Sequence, residues 1–292
     1  MVQPLKRRIA DELNFILTNR IPRIALTHFM GWFASIQSPV LTKLSVWIWK
    51  LFADLDLREA KHTQFASLRD CFIRELREGL RPIDSRPGIW TSPCDAIVGA
   101  CGRVQAQTLF QTKGLSYRLE DLLGDRALAD QLEGAPYVTL RLLSSMYHRF
   151  HAPADAVLRA VTYHSGDVWN VNPIALARVP GLFCRNERAV LRFSVKHSDR
   201  PLVLVPVAAV LVASMRIHAI DQQLSLRYQG PHHFDCEQPC SKGEELGWFE
   251  HGSTILVFAP PGCYFDTTVS EGSRLRMGEA LLCHPFDTNL SS

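Results

Sequence analysis

The sequence predicts an α+β fold, with amphipathic helices over residues 1–60 and a β-rich domain over residues 61–292. Three observations predict it. Between residues 21 and 55, Trp, Phe, Ile and Leu recur with Lys or Arg at intervals, and Pro22 and Pro39 break the run into short helical segments. Phe65, Leu68, Phe72 and Leu76 recur at three- and four-residue spacing, which predicts a helix over 65–78 that Gly79 and Pro82 terminate. After Pro87 the pattern becomes short apolar or alternating runs broken by Gly, Pro and Asp, at 96–109, 137–146, 157–163, 190–195, 202–217 and 253–259. No internal repeat, long linker or Gly-rich phosphate loop interrupts this order.

Composition narrows the function classes. With 292 residues, 47% hydrophobic and 21% charged, the chain has ample apolar material for a core. Its net charge of +3 is too balanced for a dedicated nucleic-acid binder. No uncharged apolar run reaches the 18 or so residues of a spanning helix, and the early basic cluster is not followed by a signal-peptide pattern. Eight cysteines at uneven spacing give no small-scaffold disulfide framework and read as reduced thiols in a cytoplasmic compartment.

The charge asymmetry sits at the N-terminus, where residues 1–50 hold seven basic side chains (Lys6, Arg7, Arg8, Arg20, Arg23, Lys43, Lys50) against Asp11 and Glu12. Trp32, Phe33, Trp47, Trp49 and Phe52 supply amphipathic and apolar rings in the same stretch. Together they predict helices that lie in a membrane interface, with Arg23, Lys43 and Lys50 facing anionic lipid. Periodicity is equally compatible with packing on the core. The expected location is peripheral, on the cytoplasmic face of the cell membrane.

The candidate chemistry centres on His251-Gly252-Ser253-Thr254, just ahead of an apolar strand-like run. A Gly-Ser step alone is common in turns. Tyr147-His148-Arg149-Phe150-His151-Ala152-Pro153 and Ser92-Pro93-Cys94-Asp95 add what it lacks: Ser253 as nucleophile, His151 as base and Asp95 as a carboxylate to orient the imidazole. A serine hydrolase could use the same three residues, although the Gly-x-Ser-x-Gly elbow is absent. His232, His233, Asp235, Cys236 and Cys240 are metal-ligand types close together. Their spacing matches no four-ligand zinc framework, so the expectation there is a polar loop and no metal.

The chain resembles the phosphatidylserine decarboxylases, a family of pyruvoyl enzymes, over most of residues 60–285. FIRELREGLRPID (72–84), SPCDA, KGLSYRLEDLLG (113–124), YHRFHAP, GDVWNVNP (166–173), LFCRNERAV (182–190), GEELGWF, HGST and RMGE carry the resemblance, in the family's order. It implies a proenzyme that cuts itself between Gly252 and Ser253, leaving a β chain (1–252) and an α chain (253–292). Ser253 would become the pyruvoyl cofactor, which forms a Schiff base with phosphatidylserine and releases carbon dioxide and phosphatidylethanolamine. The self-cleavage triad would fall on Asp95, His151 and Ser253, and His148 would serve decarboxylation. A homo-oligomer is compatible with this reading, and a catalytically silent membrane-bound relative is its non-enzymatic alternative. Two departures stand out. His251 occupies a position that is usually small or aliphatic, and Ala96 and Ala156 follow Asp95 and Asp155 where the family favours glycine.

Overall fold

A computed structural model describes residues 5–112, 115–211, 214–250 and 253–285. The fold is α+β and rich in strands. Three helices lead: α1 (Leu5–Asn19), α2 (Arg23–Ala34) and α3 (Pro39–Phe52). Pro22 and Pro39 stand where the sequence puts them, at helix starts. At α3 the Ser38 hydroxyl accepts from the Leu41 N–H, while Pro39 occupies the first turn, where it has no bond to forfeit. The first helix lies ahead of the Trp-rich stretch, inside the 1–60 segment expected to be helical.

The expected helix over 65–78 is shorter than its periodicity suggests: α4 covers only Leu68–Phe72. Ser67 caps it by accepting from Asp70 N, and Asp70 returns a bond to Ala66 N. Beyond Ile73 the chain is drawn into extended pairing with residues 59–61, through Lys61 N to Glu75 O and Arg77 N to Glu59 O. That tertiary pairing overrides the helical spacing of Leu76.

The rest of the chain is β1 (Ile89–Thr91), β2 (Ala96–Arg103), β3 (Thr108–Thr112), β4 (Leu115–Arg118), α5 (Leu119–Leu123), α6 (Arg126–Gln131) and β5 (Pro136–Arg141). Then come β6 (Arg149–His151), β7 (Ala156–His164), α7 (Pro173–Leu176), α8 (Leu182–Arg185), β8 (Arg188–Val195), β9 (Leu202–Ala208) and β10 (Ser214–Ile217). Finally there are β11 (Gln223–Ser225), β12 (His233–Cys240), β13 (Glu245–Phe249), β14 (Ser253–Phe258), β15 (Tyr264–Phe265), β16 (Arg274–Leu275) and β17 (Ala280–Cys283). The expected polar loop at 232–240 is in fact β12, an edge strand on β7 whose side chains alternate in exposure. Pro239 and the charges of Asp235 and Glu237 suit an edge.

Two antiparallel sheets matter for the site. The larger runs β12-β7-β8-β9-β14-β5-β2-β16, and the smaller runs β11-β10-β13-β6. Three adjacent strands of the large sheet, β9, β14 and β5, connect directly to three adjacent strands of the small one, β10, β13 and β6. The C-terminal ends of β5 and β9 and the start of β14 therefore lie at one corner. β14 is the middle of the three and is buried along its whole length. Ile255, Leu256, Val257 and Phe258 are fully enclosed, each contributing about 1.5–3 kcal/mol relative to exposure.

The N-terminal helices are fastened to this body by polar contacts. Arg23 binds Asp167 through Nε (3.2 Å) and Nη2 (2.6 Å), and its guanidinium lies 3.7 Å from the centroid of the Trp169 ring. The Asn19 side chain accepts from Asn170 N, and the Thr27 hydroxyl accepts from Leu211 N. Arg23 was expected to face lipid; its carboxylate partner and the Trp169 ring place it inside the protein instead. GDVWNVNP is thus the dock for α1 and α2. Among the described residues, no helix is long and apolar enough to cross a membrane.

Candidate active site

Ser253 opens β14 at the corner between the sheets. It pairs with Ala208 of β9, and its carbonyl accepts from Leu142 N at 2.9 Å. The residue is fully buried, and its hydroxyl has no hydrogen-bond partner among the described residues. An unsatisfied buried hydroxyl costs about 1–3 kcal/mol, so its position calls for a chemical explanation. His251 and Gly252 lie outside the described residues, but both flanks of the segment are held. Upstream, Phe249 N donates to the His148 carbonyl at 3.1 Å and Glu250 N to Ser214 O at 3.0 Å. The buried Glu250 carboxylate is further bound by Arg69 and by Gln223 Nε2.

His148 lies in the crossing between β5 and β6, not on a strand, which removes the alternation problem of two histidines three residues apart. It is fully buried, and its Nδ1 is 2.8 Å from the Met146 carbonyl. That acceptor requires the proton on Nδ1 and leaves the lone pair on Nε2. Arg74, itself buried, holds the same crossing by donating to Ser145 O (2.8 Å) and Met146 O (3.2 Å). The His148 ring packs on Phe72 at 4.0 Å between centroids, and Phe72 stacks on Trp49 at 5.7 Å. Trp49 is therefore part of the wall behind His148, whereas Trp47 is 58% exposed.

His151 ends β6. Its Nδ1 is 3.0 Å from Gly243 O and its Nε2 is 3.1 Å from the Tyr147 hydroxyl. The carbonyl accepts from Nδ1–H, so the tyrosine donates to Nε2. Burial holds this imidazole below the ordinary histidine range, which favours the neutral base. Tyr147 has no role in the sequence reading beyond opening YHRFHAP, although its place one helical-turn length before His151 was visible there.

Asp95 is buried near His151 but bonds elsewhere. Arg81 grips both carboxylate oxygens (2.9 and 2.6 Å), and Met277 N donates to Oδ1 at 2.9 Å. The carbonyl of Gly243, not Asp95, fixes the His151 tautomer. Asp95 reaches His151 through its loop, since His151 N donates to Pro93 O at 2.8 Å. LRPID, SPCDA and RMGE meet here: Asp84 N binds Gly278 O, and Gly278 N binds Ser92 O. Gly278 needs to be glycine, with φ of +90° and the Pro82 carbonyl 2.5 Å from where a Cβ would stand. With its carboxylate committed to Arg81, Asp95 does not form the relay that a serine hydrolase requires.

A cavity of about 590 Å³ opens at the same corner. α2, α3 and α4 form one wall with Met30, Phe33, Ile48, Trp49 and Phe72, and residues 141–144 and 209–211 form the other. Its size suits a ligand and its lining suits hydrocarbon. Among the described residues no group of three His, Cys, Asp or Glu could hold a metal ion, and all eight cysteines are unbridged.

Comparison with known proteins agrees with the motifs. The family model described as phosphatidylserine decarboxylase matches residues 68–283. A protein of Yersinia pestis (strain Pestoides F) named phosphatidylserine decarboxylase proenzyme is 33% identical over 284 residues, covering 93% of this chain and 96% of that protein. A protein of the same name from Yersinia pseudotuberculosis serotype O:1b (strain IP 31758) matches to the same extent.

Proposed function

The chain belongs to the phosphatidylserine decarboxylase family, and from that premise we propose that it is a self-processing proenzyme that converts phosphatidylserine to phosphatidylethanolamine and carbon dioxide. The observation that carries the proposal is the placement of Ser253: a buried hydroxyl with no partner among the described residues, at the start of a central strand, whose carbonyl is bonded to Leu142 of the cavity wall and whose flanks are anchored. The Ser253 hydroxyl attacks the Gly252 carbonyl, and the Ser253 nitrogen leaves with a proton, turning the peptide bond into an ester. Loss of the Ser253 α-proton then breaks the ester C–O bond, and hydrolysis of the resulting enamine releases ammonia. The pyruvoyl group so formed supplies the carbonyl that condenses with the substrate amine and draws electrons as carbon dioxide leaves.

His151 serves the cut. Its neutral Nε2 takes the serine proton once Tyr147 yields that lone pair, and Arg81, Asp95 and Pro93 keep the strand end in place. His148 serves turnover: its Nε2 lone pair would take up the proton that the substrate ammonium gives up on condensation and return it to the substrate carbon after carbon dioxide leaves. A denaturing gel tests the proposal directly: the processed protein runs as two chains, the shorter being the 40 residues from 253 to 292. A single chain in freshly purified wild type would overturn it.

The cut should carry the signature of the buried histidine. Because burial lowers the His151 pKa, the acidic limb of the self-cleavage rate should fall below pH 6.5 or so, the ordinary histidine value. Removing the donor in Tyr147→Phe withdraws support from the neutral form, so the limb should move upward in pH. The same shift bears on stability: His151 leaves the native state at no disadvantage above the unfolded value, and stability is lost as pH falls toward the lower folded one. Quench-flow or gel densitometry against pH reads the limb. An unmoved limb in Tyr147→Phe would exclude this donor's influence.

Twelve of the fifteen exposed large apolar side chains among the described residues lie on α1–α3, including Trp32 (62%), Trp47 (58%) and Phe52 (85%). Lys43 and Lys50 accompany them on α3. This face would seat the protein as a peripheral component on the anionic cytoplasmic leaflet, each basic side chain adding roughly 1 kcal/mol. Replacing Trp32, Trp47 and Phe52 with Ser should weaken cosedimentation with phosphatidylserine vesicles about tenfold or more and leave self-cleavage intact, and salt should weaken the wild type further. Wild-type binding by the triple variant would place the contact elsewhere.

A further inference from the structure

The wall of the cavity is mostly hydrocarbon and aromatic, with Ser45, Ser144, Asn170 and Asn172 as neutral polar members, and Arg141 is its one charged residue among those described. This residue ends β5 and stands opposite Thr254 in the ladder, one position from Ser253. It is partly buried, and its guanidinium makes no ion pair or hydrogen bond among the described residues. Burial lowers its pKa and no acidic neighbour offsets that. Arginine stays charged even so. A desolvated cation without a counter-charge is costly, and the cost is relieved when a ligand brings the anion.

Resting on the reading of Ser253 above, we propose that Arg141 receives the phosphodiester of the serine lipid and thereby anchors its headgroup at the mouth of the cavity. The headgroup carries two anions, and the chemistry separates them. In decarboxylation the bond between the carboxyl carbon and the α-carbon breaks, its electron pair stays on the α-carbon side, and the carboxylate departs as neutral carbon dioxide. A cation paired with that carboxylate would be favourable in the ground state and lose its partner in the transition state, which slows the step. The phosphodiester keeps its charge from substrate to product. Binding it is uniform, lowering KM without altering kcat. The planar fork of arginine can engage two phosphoryl oxygens at once, while the acyl chains find the apolar wall.

The test uses full-length processed protein and dihexanoyl phosphatidylserine below its micellar concentration, so that recruitment to a bilayer plays no part. Arg141→Gln should be processed normally, with KM raised about 10- to 100-fold and kcat within about twofold. Arg141→Lys should recover part of the loss. Dihexanoyl phosphatidylcholine has the phosphodiester but no carboxylate and no primary amine, so it probes the anchor without reacting. Its inhibition constant should weaken in Arg141→Gln by the same factor as KM. An unchanged KM, or a fall in kcat alone, would overturn the proposal; so would a raised KM with unchanged phosphatidylcholine inhibition, which would assign Arg141 to the carboxylate. If Arg141→Gln fails to fold, the same two constants in Arg141→Lys decide, and wild-type values there overturn the pairing. A wild type that binds the phosphatidylcholine probe yet releases no carbon dioxide would sink the function proposed for Ser253, and the probe's Kd in wild type and variant would still judge Arg141.

Discussion

Ser253→Ala protein should remain a single chain of 32.9 kDa and release no carbon dioxide from phosphatidylserine. Alanine has no oxygen to attack the Gly252 carbonyl, so neither the ester nor the ketone derived from it can form. The substitution removes one buried hydroxyl that has no partner among the described residues, so the fold should keep or slightly gain stability. The expected loss is complete for both cutting and turnover, and two normal fragments on a denaturing gel would end the assignment. His151→Ala should slow the cut by roughly 10²–10⁴-fold, the usual worth of a general base. Asp95→Asn should also slow it, through weakened bonding to Arg81 and a displaced Pro93 carbonyl.

His148→Asn should divide the two reactions. If His148 returns a proton to the substrate carbon and takes no part in the cut, the variant yields both chains and a reactive ketone but turns over phosphatidylserine about 10²–10⁴-fold more slowly. Asparagine is preferred to alanine because the imidazole is fully buried against Phe72, and a cavity there would disturb the wall that Trp49 and Phe72 build. Carbonyl titration of the α chain and a carbon dioxide assay read the two steps separately. An uncut His148→Asn protein would show that the imidazole belongs to maturation.

Much of the scaffold was legible because its elements advertise themselves locally. The enclosed run of β9 is unbroken apolar sequence, β14 is apolar after Ser253 and Thr254, and Pro22 and Pro39 mark where helices can begin. The edge strand β12 was not legible, since a half-exposed strand rich in His, Asp, Glu and Gln has the composition of a loop. The helix over 65–78 was overread because spacing records only one chain segment, while the pairing of 74–77 with 59–61 depends on a second. Site geometry shows the same limit. Motifs put Asp95, His148, His151 and Ser253 on the page, but not the crossing of β9, β14 and β5 into the smaller sheet, nor the claim that Arg81 has on Asp95. Trp47 and Trp49 look alike in sequence; two positions apart on a helix, one faces outward and the other backs Phe72.

β14 lies between β9 and β5 and is paired on both edges, with Val257 opposite both Val138 and Leu204. A chain cut before Ser253 would therefore keep its smaller piece by interdigitation alone, since β16 and β17 of the same piece also sit in sheets. Folding would then change its molecularity. The precursor reaches its native state from one molecule; the mature enzyme, once melted, could return only when two pieces meet. Its melting temperature should rise with protein concentration, as mass action requires for an associating pair. Dilute mature enzyme should lose activity on heating without recovering it, while the uncut Ser253→Ala chain refolds at any dilution.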